Sequence, residues 1–422
     1  MAKINVSELE PDMVLANDVR DRNGRFLLGN GVKLTPKHLK IMKMWGIVDV
    51  DIEGLSQNDM EKKRTAHMDP AILDIADKLT RKRFVHTDLR HEAICELFNI
   101  CVLRKAEQLT NGAQPAGTDK FHESSTNSDQ NSPTEDTAAK VDPHDLIKKN
   151  YIKLPSLSPI FNQINEAINN PRSSATQVAK IISNDSGLSA QLLKLVNSAF
   201  YNFPSKIDTI SRAVAIIGTK QLSTLALGTC VTSAFQGVPS DLINMRSFWE
   251  HSIACGIIAR LISSYKNNIN TERFFLAGLL HDLGRLIIYK YLPAQAKQAL
   301  LRARKTNNLL YKTEKEIMGF NHTVMGSILL KEWKLPVILE NTIRHHHSPE
   351  ASQMSLETSI IHLSDIVTNA LGIGTSGEQL VPPLDVTAWE DIGLPAGILA
   401  TTIKQANRHI AETVHIFFPD ER

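Results

Sequence analysis

Residues 110 to 140, TNGAQPAGTDKFHESSTNSDQNSPTEDTAAK, contain almost no side chain worth burying. Ser, Thr, Asn, Asp, Gly and Pro dominate the tract, and such a segment cannot offset the entropy lost on ordering it. A disordered linker is therefore expected over 110–144. It obliges the chain to fold as separate parts on its two sides.

On the C-terminal side nearly every segment from 145 to 418 has helical period, and strand-like alternation is absent. SATQVAKIISNDSGLSAQLLKLVNSAF places apolar side chains at Val178, Ile181, Ile182, Leu188, Leu192, Leu193 and Val196, with a helix-ending turn at NDSG. Ser174 should cap the first of these helices, and Asp185 or Ser186 the second. DTISRAVAIIGTKQLSTLALGTCVTSAF repeats the scheme, with Gly218 between two helices. The expected fold class is mainly α: one all-α domain over 145–418, preceded by a small β-rich N-terminal module.

That module, residues 1–54, alternates apolar and polar positions between turn signals, and Asn23-Gly24 favours a tight hairpin turn. Thr35 and Pro36 suit the start of a helix in which Leu39, Met42 and Trp45 share a face, and IVDVDI after it suits a closing strand. From 55 to 109 the period turns helical, with Pro70 near one helix start, which predicts a helical connector. Its His67, His86 and His91 have no carboxylate at ligand-like spacing.

With 47 basic and 45 acidic residues in 422, the net charge of +2 suits neither a nucleic-acid coat nor an anionic lipid surface. Lys194 is the clear basic residue on the second helix of the 174–196 pair, so DNA is not expected there. Cys95, Cys101, Cys230 and Cys255 are scattered without CxxC spacing, which predicts reduced structural thiols. The N-terminus has no apolar signal core, and no stretch reaches about 18 apolar residues. A cytoplasmic protein, off the membrane, is the expectation.

Chemistry concentrates in the α-helical part. FFLAGLLHDLGRLII sets His281 and Asp282 side by side in a run that asks to be buried. His251, His322, the triplet His345, His346 and His347, and the pair His362 and Asp365 fall on other apolar helices. A single buried histidine is ordinarily a hydrogen-bonded core residue. Members of one His and Asp set on consecutive apolar helices are instead what a buried divalent-metal site needs, since the cation offsets the burial of its carboxylates.

The order His, His-Asp, His, His-His, Asp resembles the HD superfamily of metal-dependent phosphohydrolases. LLKLVNSAFY followed by IDTISRAVAIIG resembles more closely the HDOD output domain of bacterial signalling proteins, and FWEHS, AGLLHDLGRL, GFNHTVMGSILLKEWKLP and IRHHHSP continue that pattern in order. The similarity covers about 145–410. It implies His251, His281, Asp282, His322, His346, His347 and Asp365 as metal ligands, with Glu314 a further carboxylate, and one or two ions of iron, manganese or zinc. In NSAFY, Asn197 and Ser198 are expected to tie down helix-end backbone, and Phe200 and Tyr201 to anchor core.

The related HD-GYP phosphodiesterases, which cleave cyclic di-GMP, carry a lysine where this chain has Arg285, and a Gly-Tyr-Pro segment that HHHSPEASQMSLETS lacks. Arginine stays protonated, so it could hold a phosphate but not serve as a base. The resemblance therefore implies a non-catalytic output or scaffold module acting on signalling proteins, or through a second copy of itself. The alternative is a phosphohydrolase of a nucleotide or cyclic dinucleotide, with Asp282 and Arg285 in its machinery.

Overall fold

The computed structural model describes residues 2–6, 9–20, 26–44, 47, 49–53, 68–112, 142–149, 151–170, 172–198, 201, 203, 205–235, 237–266, 269–352 and 355–419. The Asn23-Gly24 turn, Trp45, His67, Phe200 and the expected linker from 113 to 141 lie outside them. The chain is mainly α-helical, and it divides into two compact units, Met1–Thr118 with Gly393–Gln405, and Asp119–Ile392 with Ala406–Arg422.

In the first unit β1 (Ala2–Asn5) pairs antiparallel with β4 (Asp49–Ile52), and β2 (Val19–Arg20) with β3 (Phe26–Leu28). These two ladders are the only named sheets among the described residues. Ile4, Leu15, Leu34, Met42 and Ile52 form their dry core, to which α1 (Pro36–Met44) contributes Met42. Thr35 begins α1 as expected, its Oγ1 accepting the His38 amide at 3.3 Å. Next come α2 (Pro70–Arg83), capped by Asp69, and α3 (Glu92–Thr110). Phe84 and Phe98 meet edge to face beneath them, ring centroids 5.3 Å apart.

The second unit begins with α4 (Pro143–Lys148), α5 (Pro159–Asn169), α6 (Ala175–Ser183), α7 (Ser186–Val196), α8 (Ile210–Ile217) and α9 (Thr219–Thr232). Its caps follow the sequence. Ser174 Oγ accepts the Gln177 amide, Asp185 rather than Ser186 caps α7, and Gly218, at φ 101°, turns α8 into α9. Asn197 closes the end of α7, donating to the Leu193 and Ile207 carbonyls and accepting the Ile207 amide, each at 2.7 Å. It is a structural clamp, as expected.

Next along the chain, and framing the His and Asp set, are α10 (Met245–Ser264), α11 (Glu272–Leu280), α12 (Leu283–Tyr291), α13 (Pro293–Thr306), α14 (Leu310–Met318), α15 (His322–Glu332), α16 (Val337–His345) and α17 (Ser355–Leu371). After them come α18 (Val386–Ile392) and α19 (Ile398–Phe417). Two glycine contacts fix the geometry. A Cβ on Gly278 would stand 2.5 Å from Gly256 Cα, so α10 and α11 touch backbone to backbone. A Cβ on Gly284 would overlap the His322 carbonyl and lie 2.7 Å from the Gly326 amide, so α12 and α15 do the same. No described helix is long and apolar enough to cross a membrane.

Candidate metal centre

The two glycine crossings bring the histidines together. His251 rides the second turn of α10, His281 and Asp282 form the corner between α11 and α12, and His322 opens α15. His346 and His347 follow the end of α16, and Asp365 lies inside α17. Six of the seven are buried: the four histidines 251, 281, 322 and 346 expose 0%, Asp282 1% and Asp365 3%. His347 is half-buried.

All seven fall into two adjoining groups of candidate ligand atoms, each within 4.8 Å of its fellows: His251, His281, Asp282 and Asp365, and then His322, His346 and His347. In the first group His251 Nε2 lies 3.2 Å from Asp365 Oδ1 and 3.7 Å from Asp282 Oδ2. His281 Nε2 lies 3.2 Å from Asp282 Oδ2 and 3.4 Å from Asp365 Oδ1. Four ligands held about 2.0–2.2 Å from one ion stand roughly 3.3–3.6 Å from each other. The observed spacing is close to that.

Protons sit on the outside of the cluster. His281 Nδ1 donates to the Gly278 carbonyl at 2.7 Å, His346 Nδ1 to the Ile343 carbonyl at 2.8 Å, and His322 Nδ1 to Glu314 Oε2 at 2.6 Å. With Nδ1 tied to these outer partners, Nε2 is the ring nitrogen each histidine turns inward, the one a bound ion would take. His322 Nε2 and His346 Nε2 then face each other at 3.4 Å, a pair of nitrogens that can share a proton or take a cation between them. His281 Nε2, Asp282 Oδ1 and His347 Nε2 are buried and make no hydrogen bond, although Asp282 Oδ1 is only 3.0 Å from His322 Nε2. Buried polar atoms that crowd one another without bonding are converging on a shared point.

The electrostatics agree. Burial alone would pull the His281 and His322 imidazoles down, yet Asp282 lifts the first well above its ordinary value and Glu314 with Asp282 raises the second, so each holds a proton that a bound cation would displace. Burial would push Asp282 and Asp365 up, but Arg285 and His281 hold the first well below the usual carboxylate range, and His251 and His281 hold the second there. Desolvation pushes His346 down to about 3 and His347 well below its usual value, so both are neutral imidazoles. Ionised carboxylates and neutral imidazoles are the donor set of zinc, iron or manganese. A divalent ion bound there would supply fixed positive charge and Lewis acidity.

Two residues singled out in the sequence stand elsewhere. Glu314 is outside both ligand groups: Oε2 accepts the His322 amide at 3.0 Å as well as its Nδ1, and Oε1 accepts Arg285 Nε at 3.1 Å. His362 is fully engaged, Nδ1 with the His346 carbonyl at 2.7 Å and Nε2 with the Asp385 amide at 3.0 Å, so it braces the His346 backbone. Sequence reasoning missed the loop after α17. Ser376 Oγ bonds Arg285 Nη1, the Ser376 carbonyl accepts Tyr289 Oη at 2.7 Å, and Glu378 accepts the amides of Leu310, Gln379 and Leu380. GTSGEQL has no hydrophobic period, and so gave no sign of touching a buried centre.

The HDOD domain family matches residues 154–349. An uncharacterized protein of Treponema pallidum is 26% identical over 196 residues, which are 46% of this chain and 38% of that protein, so well under two thirds of that relative is spanned. Among solved structures, an HDOD domain protein with unknown function from Geobacter sulfurreducens is 22% identical with a TM-score of 0.56, over 65% of this chain and 97% of that one. A proposed phosphohydrolase from Shewanella amazonensis is 23% identical with a TM-score of 0.51, over 65% and 96%. A proposed signal transduction protein from Marinobacter aquaeolei is 16% identical with a TM-score of 0.53, over 65% of each chain. These structures share the fold.

Proposed function

The chain is an HDOD domain protein, and on that premise we propose that its α-helical part is a metal-stabilised output module, non-catalytic, that works by binding signalling proteins. One observation carries this: Arg285 is spent inside the protein. Its Nη1 donates to Asp282 Oδ2 at 2.9 Å and its Nε to Glu314 Oε1 at 3.1 Å, while the residue as a whole is only 1% exposed. A phosphate-binding arginine needs a face open to the phosphate. Here two carboxylates and Ser376 hold Nε and Nη1, and Nη2, though without a hydrogen bond, is buried away from any approaching phosphate. A bound ion in such a place locks α10, α11, α12, α15, α16 and α17 together, because binding to the folded state alone stabilises it.

Within this proposal residues 1–54 are a small β-rich module, 55–109 a helical connector and 110–144 a linker, feeding an input to the domain at 145–418 in the cytoplasm. Partners are other signalling proteins or a second copy of the chain.

A phosphohydrolase is the second reading, and Asp282 is what favours it. Oδ2 faces His251 and His281 while Oδ1 faces His322, so one carboxylate touches both ligand groups. Elemental analysis of the purified chain, run beside a hydrolysis screen of nucleotides and cyclic dinucleotides, separates the two. At least one equivalent of iron, manganese or zinc with no turnover is the expected result. Metal-dependent cleavage of any of these substrates would overturn the output-module reading.

A further inference from the structure

We propose that Arg285 is a built-in cation of the centre, so that the chain holds one divalent ion, among His251, His281, Asp282 and Asp365, and no second ion at His322, His346 and His347. The inference rests on the proposal that the centre binds metal, and it concerns how many ions the surrounding charges admit.

The charge count comes first. The buried carboxylates at the cluster are Asp282, Asp365 and Glu314, and the permanent cation among them is Arg285. Three negative charges against one positive leave two to be neutralised, which a single divalent ion does. A fourth buried carboxyl, Glu378, stands outside both ligand groups, where it accepts the amides of Leu310, Gln379 and Leu380 and burial lifts it above the ordinary carboxylate value, so it is the weakest contributor of negative charge to the count. A second divalent ion would leave two positive charges without compensation in a largely buried site, a costly state.

Geometry points the same way. The oxygens that an ion at His322, His346 and His347 could recruit are already bonded. Glu314 gives Oε1 to Arg285 and Oε2 to the amide and Nδ1 of His322, and Asp282 Oδ2 accepts Arg285 Nη1. Only Asp282 Oδ1 faces that group without a hydrogen bond.

The chemistry of the side chain makes the limit permanent. An incoming metal ion can displace a proton from a lysine or a histidine and so remove a competing charge. It cannot deprotonate arginine.

The test uses the full chain loaded with Mn²⁺ and dialysed. Metal per chain is measured by mass spectrometry, and electron paramagnetic resonance distinguishes isolated from coupled ions. Wild type should hold one ion with the signal of an isolated Mn²⁺. Arg285→Gln and Arg285→Met, checked for retained helicity by circular dichroism, should each hold two, with a coupled signal. Two ions in wild type would overturn the inference whatever the variants do, as would a single ion in a folded variant. No ion in wild type or in the variants would instead remove the metal reading beneath it, and the inference with it.

Discussion

Glu314 grips His322 twice: one carboxylate oxygen, Oε2, accepts both the backbone amide at 3.0 Å and the ring Nδ1 at 2.6 Å. The grip fixes the imidazole so that Nε2 points at Asp282 and His346. It also starts α15 at the residue that must reach the centre.

Glu314→Gln should therefore weaken metal binding while the helices persist. An amide cannot both accept from His322 and avoid setting a donor against Arg285 Nε, so the ring loses its fixed orientation. Loss of such an outer partner costs roughly 10–100-fold in metal affinity. Competition titration against a chelating dye measures it, and an unchanged affinity would show that the grip does not matter.

Asp282→Ala should cost about 3–5 kcal/mol, because it strands the buried Arg285 guanidinium as well as removing a candidate ligand. Adding Arg285→Met to that variant should recover part of the loss, since an apolar pair replaces an unpaired charge. Denaturant melts of the two single variants and the double variant give the coupling directly.

Gly278→Ala and Gly284→Ala should each destabilise the chain by about 1–3 kcal/mol or more, the range for forcing atoms into a filled interior. The added methyl meets backbone in both places, Gly256 in one and His322 and Gly326 in the other, and backbone cannot swing aside. Because these crossings align His251 with His281 and Asp282 with His322, metal binding should fall with stability. A stable Gly284→Ala chain with full metal content would refute this.

Chelation should lower the thermal midpoint of the wild type, and readdition of the metal should restore it. An ion present at a hundred times its dissociation constant adds about 2.7 kcal/mol. Calorimetry with and without chelator, on the wild type and on Asp282→Ala, tests whether the shift belongs to the centre: the variant should show little.

Much of this protein follows from local chemistry. Helical period over 145–418, the caps Ser174 and Asp185, and the turn at Gly218 depend on residues within one turn of each other, and these were legible in the chain. The ligand candidates were legible as residue types, because histidine and aspartate on apolar helices conflict with burial unless something pairs them. Which of them meet was decided only in three dimensions. Glu314 and His362 look like ligands along the chain, yet one holds the ring of a candidate ligand, His322, and the other the backbone of another, His346. Arg285 looks like a phosphate contact, yet it closes on Asp282, Glu314 and Ser376, and the last comes from a loop 91 residues away. The physical reason is the range of the forces involved. Capping and periodicity act between neighbours in sequence, whereas the pairing of buried charge depends on which helices a glycine lets touch.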